Sequence, residues 1–129
     1  MSKRVLVVED DEVTAFLTQR VLSESTFFHE VVFVVNGQEA LDILRSQTFD
    51  VVLLDVSMPV LDGFTFLEVY AEECERNGHD EVPIVMLSSS DDPHEIRRAY
   101  SFTNVIAFEL KPFSRAALAR VSRLVGSAD

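Results

Sequence analysis

Two hydrophobic patterns alternate along the chain. Arg4-Val-Leu-Val-Val8 is short, apolar and β-branched, and reads as a strand. From Glu12 to Glu24, Val13, Phe16, Leu17 and Val21 recur at helical spacing. Ser25 to Glu30 reads as a connection, and Val31 to Val35 as a second strand. Asn36-Gly37 punctuates the chain before a short helix carrying Ala40, Leu41 and Leu44. A third apolar run, Val51 to Leu54, leads into Asp55, and Met58-Pro59 breaks the chain after it. A helix from about Asp62 carries Phe64, Leu67, Tyr70, Ala71 and Cys74 on one face and stops at Asn77-Gly78. Val82 to Leu87 is the fourth strand. Asp92-Pro93 opens the next helix, with Asp92 as N-cap, Pro93 in the first turn and Glu95 at the third position. Val105 to Leu110 is the fifth strand. Ser114 caps a last helix with Ala117, Leu118, Val121 and Val125 inward.

Five strand–helix units follow one another without a repeat, linker or shift in composition. Strands that are apolar throughout, rather than alternating, indicate a parallel sheet covered on both faces. The expected architecture is one doubly wound α/β domain over residues 1–129. In such a sheet, ligands bind beyond the carboxyl ends of the strands. Those ends carry Glu9-Asp10-Asp11, Asp55, Ser88-Ser89-Ser90 and Lys111-Pro112, whereas Asn36-Gly37 after the second strand is ordinary turn chemistry.

Composition narrows the partners. The formal net charge of −11 disfavours nucleic acid and anionic membrane surfaces. One cysteine excludes an internal disulfide, and Cys74 reads as a buried helix residue. His29, His79 and His94 show no metal spacing and fall in loops or at a helix start. Arg115, Arg120 and Arg123 in the last stretch, against Asp129, read as a solvated helix face. No apolar run is long enough to span a membrane, and the first residues do not form a signal peptide, so the expected compartment is the cytoplasm.

Charge also sharpens the site. Glu9, Asp10 and Asp55 in one cleft repel one another unless a cation sits among them. Hard carboxylate oxygens suit Mg²⁺. Three acids, a dication and Lys111 come close to neutrality. A carboxylate so placed can attack phosphorus, with a lysine stabilising the phosphoryl oxygens and Ser88 bonding the bound group. Lys111 is one of only two lysines beside nine arginines, and a compact ammonium suits a crowded site.

Val5-Leu-Val-Val-Glu-Asp-Asp11, Val52-Leu-Leu-Asp-Val-Ser-Met-Pro59 with Asp62-Gly63, Pro83-Ile-Val-Met-Leu-Ser88 and Phe108-Glu-Leu-Lys-Pro-Phe113 together resemble a response regulator receiver domain. The resemblance covers essentially the whole chain. It implies a flavodoxin-like sheet of order 2-1-3-4-5 with five helices. It implies that Asp55 accepts a phosphoryl group from a histidine kinase or phosphotransfer protein. It also implies Mg²⁺ bound directly by Asp10, Asp55 and the backbone carbonyl of Ser57, with Glu9 acting through water. Ser88 matches the switch hydroxyl, Phe108 the switch aromatic, and Lys111-Pro112 the usual cis bond.

The chain departs from the family pattern at Ser89, where Ala or Gly is usual, and at Phe108, where Tyr is common. Glu109 replaces an apolar residue, so either the strand register shifts or Glu109 has a cationic partner. Asn104-Val105 stands where a glycine-alanine turn is usual. A 129-residue chain leaves no room for an output domain, so the expected output is a contact with an unidentified protein or a phosphate relay, by a monomer or weak homodimer. The alternatives are a phosphate-independent module that keeps the fold and an aspartate-nucleophile phosphatase. The phosphatase pattern wants Asp-x-Asp, but Asp55-Val-Ser57 stands here. A flavin-binding relative would need a phosphate-cradling loop, and no Ser/Thr/Gly-rich turn follows the first strand here.

Overall fold

The computed structural model describes residues 3–58 and 60–127; Pro59, read above as a chain break, and Asp129 lie outside the described residues. Ten elements alternate: β1 (Lys3–Val8), α1 (Glu12–Ser23), β2 (Phe28–Val34), α2 (Gly37–Leu44), β3 (Val51–Asp55), α3 (Gly63–Asn77), β4 (Ile84–Ser88), α4 (Pro93–Tyr100), β5 (Val105–Leu110) and α5 (Arg115–Ser127). The strands form one parallel sheet of order β2-β1-β3-β4-β5, as expected.

The inner strands β3 and β4 are buried along their whole length. Successive side chains go to opposite faces, so each strand feeds two cores. Leu6, Val8, Val52, Leu54, Ile84 and Met86 pack with α2, α3 and α4, around Leu41, Phe66, Leu67 and Tyr70. Val5, Val7, Val51, Leu53, Val85 and Leu87 pack with α1 and α5, around Leu22, Leu118 and Val121. This two-sided burial is why the strands carry no polar alternation. Cys74 is buried, as expected.

Several readings need correction. The residues that announced α1 do not form its inner face: Val13, Phe16 and Leu17 are exposed. The helix instead buries Thr18 and Leu22, with Ala15 and Val21 half-buried. The second strand starts at Phe28 rather than Val31, because Lys3 and Arg4 of β1 pair with Phe28 and Glu30. His29 therefore lies in β2, where Nδ1 is 2.9 Å from the Lys3 carbonyl, and not in a loop. The fourth strand starts at Ile84 rather than Val82; Val82 donates its N–H to the Tyr70 hydroxyl. Both alternatives for Glu109 hold. The β4–β5 register slips past Ile106, and Glu109 makes a two-pronged pair with Arg120, at 2.6 and 2.9 Å. Arg115 likewise pairs with Glu24, in keeping with a solvated α5 face. Among the described residues no helix is long and apolar enough to cross a membrane.

Candidate functional site

The sheet order puts the ends of β1 and β3 side by side, with β4 and β5 beyond. Glu9 extends β1 by donating its N–H to the Val34 carbonyl of β2. Val56 donates to Leu87 at the end of β4, and Lys111 donates to the Ser88 carbonyl. These bonds tie the end of β1 to β2 and the ends of β3 and β5 to β4, and the side chains that follow β1, β3 and β5 meet in one cleft.

The loop after β3 is shaped by Asp62-Gly63. Asp62 caps α3 by accepting from the Thr65 N–H. Gly63 lies so close to β3 that an added Cβ would stand 2.7 Å from the Asp55 carbonyl and 2.9 Å from the Val56 Cα. Only glycine lets α3 start directly against the strand that carries Asp55. Val60, between them, has φ 73, a left-handed conformation that strains a β-branched residue. After β1, Asp11 turns outward and caps α1 through the Thr14 N–H at 2.8 Å and hydroxyl at 2.6 Å. Of the three acids after β1, two therefore face the cleft.

Carboxylate oxygens of Glu9, Asp10 and Asp55 lie within 4.8 Å of one another. Glu9 and Asp55 are buried, and Asp10 is exposed at the mouth. Lys111 reaches across, its Nζ 3.1 Å from Glu9 Oε1 and 2.9 Å from Asp55 Oδ1. The Ser57 N–H also donates to Asp55 Oδ1, at 3.1 Å. The Lys111–Pro112 bond is cis, as the resemblance implied.

The electrostatics show a site short of positive charge. Burial pushes Glu9 up to about 7, and the Asp55 charge adds to this; the Asp11 N–H and Lys111 pull the other way. Burial works against the Lys111 ammonium, but Asp55 and Glu9 outweigh it and hold the group above its ordinary value. Glu9 Oε1 is buried, and although Lys111 lies close, it makes no aligned hydrogen bond. A buried carboxylate oxygen without a hydrogen bond, beside two more carboxylates, fits a hard divalent cation.

The remaining expected residues lie nearby. Ser88 is buried at the end of β4; its Oγ accepts from the Ser90 N–H and donates to Glu95 of α4. Phe108 is half-buried on β5, packed against the α3–α4 core. Glu95 is the residue that sequence reasoning did not place at the site. Its position in Asp92-Pro93-His94-Glu95 signals only a helix start.

The sequence profile of the response regulator receiver domain matches residues 5–123. The sensor protein GacS of Pseudomonas syringae is 35% identical over 119 residues, which cover 92% of this chain and 13% of that protein. The chain spans 12% to 16% of the length of several such relatives. The phosphorylated cyanobacterial phytochrome response regulator RcpA superposes with a TM-score of 0.73 at 30% identity, covering 99% of this chain and 91% of its own. The Mn²⁺-bound response regulator Rcp1 superposes with a TM-score of 0.70 at 27% identity, covering 97% and 90%.

Proposed function

The chain belongs to the response regulator receiver domain family, a signalling module of two-component systems rather than a catalyst, and we propose that Asp55 is its phosphoacceptor. The observation that carries this reading is Lys111 Nζ, held between Asp55 and Glu9 in a cleft of three carboxylates.

The described contacts of Asp55 both fall on Oδ1. Oδ2 is therefore the attacking oxygen. It forms a bond to phosphorus as the bond from phosphorus to the donor histidine nitrogen breaks, and the freed imidazole leaves. Lys111 and the Ser57 N–H keep the carboxylate oriented and offset the charge of the incoming group. Ser88, one step beyond Asp55 on the adjacent strand, donates its hydroxyl proton to the bound phosphoryl. Glu9, Asp10, Asp55 and the Ser57 carbonyl would hold Mg²⁺, which when bound neutralises the carboxylates and the phosphoryl oxygens.

The donor is a histidine kinase or a histidine phosphotransfer protein, in the cytoplasm. Val13, Phe16 and Leu17 form an exposed apolar surface on α1, the helix that begins directly after Asp10 and Asp11. We read this surface as the donor's landing site, since exposed apolar patches mark contacts. Phe108 borders the cleft between α4, β5 and α5 and transmits the change by packing, with Tyr100, Leu110 and Leu124 presented to a downstream protein.

Incubation with acetyl phosphate and Mg²⁺ tests the reading. The intact mass should rise by one phosphoryl group, Mg²⁺ should be required, and Asp55→Asn should abolish the gain. A gain of the same size in Asp55→Asn overturns the assignment.

A further inference from the structure

Ser88 has one hydroxyl proton to give. In this structure the proton goes to Oε1 of Glu95, on the first turn of α4, while the lone pairs accept the Ser90 N–H. Glu95 stands at the third helical position after the Asp92 cap, where a glutamate ordinarily reaches back to the cap's own N–H. Here the Asp92 N–H instead donates to the Ser90 hydroxyl, and the Glu95 carboxylate is turned inward to Ser88. At this end of helix α4, Pro93 and His94 are exposed and Glu95 and Ile96 are half-buried. Ala99 is its single buried residue, and Arg98, over the Phe64 ring and 3.7 Å from Glu68, tethers the far end.

We propose that Glu95 is a positioning residue that latches the unphosphorylated state: it occupies the hydroxyl that a phosphoryl group on Asp55 must recruit. This rests on the reading of Asp55 given above. The two acceptors compete for one proton, so the Ser88–Glu95 hydrogen bond breaks as the Ser88–phosphoryl bond forms, with no covalent change. The latch therefore raises the threshold for the active state and ties its release to the first turn of α4. The bond is the stronger for having a charged acceptor.

The test is a double-mutant cycle on the full chain, using beryllium fluoride with Mg²⁺ as the phosphoryl mimic and amide NMR shifts to measure affinity. Glu95→Ala should bind the mimic roughly tenfold tighter than the parent, the scale expected for removing a competing hydrogen bond to a charged group. Glu95→Gln, which still accepts from Ser88 but without charge, should fall between them. In a Ser88→Ala background, Glu95→Ala should change affinity by less than about twofold, since nothing remains to be released. Equal tightening in both backgrounds would show simple charge repulsion and overturn the latch, as would no tightening at all. Hydrogen exchange gives a second readout. Amides of α4 should lose protection when the parent binds the mimic and be equally unprotected in free Glu95→Ala; unchanged protection in that variant also overturns it. Asp55→Asn should bind no mimic. If the parent binds none either, the Asp55 reading fails and the latch falls with it; binding by the parent with no Glu95 effect removes the latch alone.

Discussion

Lys111 serves carboxylates from two different strands with one ammonium, at 3.1 and 2.9 Å. An arginine fork suits two oxygens of a single carboxylate, so Lys111→Arg keeps the charge and loses the geometry. Its phosphorylation rate with a small donor should fall by roughly tenfold or more, since a displaced donor costs transition-state stabilisation. A parental rate would contradict the role given to Lys111. Glu9 adds a pH dependence. Burial raises it from 4.5 to about 7, so between those values the metal-free folded chain holds a proton that the unfolded chain has released. Its contribution to stability is fully present below about 4.5 and is lost as pH rises toward about 7. Urea midpoints of chelator-treated protein should therefore fall more steeply over that window than those of Glu9→Gln; matching slopes would argue against a buried, proton-binding Glu9. Most of these residues were legible in the sequence, because acids and a rare lysine at strand ends make an unusual combination. Glu95 was not, since the same four residues also spell a helix cap and only the fold shows which acceptor its carboxylate meets.

The elements place the site through a few close contacts. Gly63 lets α3 begin against β3, where an added methyl would stand 2.7 Å from a backbone oxygen. Backbone cannot yield as a side-chain tip can, so Gly63→Ala should cost about 1–3 kcal/mol in urea unfolding, the range for overpacking. It should also slow phosphorylation, because the displaced carbonyl is that of Asp55. The order of elements could be read from periodicity alone, and the boundaries mostly follow. The exceptions have physical causes. In α1 the apolar spacing identified the helix but not its inner face, because Thr18 and Leu22 fill the buried positions with Ala15 and Val21 beside them, and Phe16 falls on the exposed side. Phe28 to Glu30 joined β2 through pairing with β1, a long-range term that no local propensity contains. The slip past Ile106 and the Glu109–Arg120 pair likewise depend on which helix covers β5.

Across the whole molecule, a net charge of −11 meets a cleft that gathers three carboxylates, two of them paired with one ammonium. A divalent cation binding only the folded chain stabilises it by mass action. Mg²⁺ should raise the melting temperature with a concentration dependence, and Asp10→Ala should remove most of that rise. Metal-free Asp10→Ala should be at least as stable as the parent, since one repelling charge is gone; a full Mg²⁺ response in the variant would remove Asp10 from the site. The family match and the sheet topology agree over nearly the full chain, so the claim that remains to be tested is chemical: a phosphoryl group on one carboxylate. The most direct measurement is to phosphorylate the chain with acetyl phosphate and Mg²⁺, reduce the acyl phosphate with borohydride, and map the homoserine that forms by peptide mass spectrometry. The account predicts homoserine at position 55 alone, absent without donor and absent without Mg²⁺. Homoserine at position 10, 5-hydroxynorvaline (the reduction product of a glutamyl phosphate) at position 9, or no reduced residue in a chain that has gained phosphoryl mass, would contradict it.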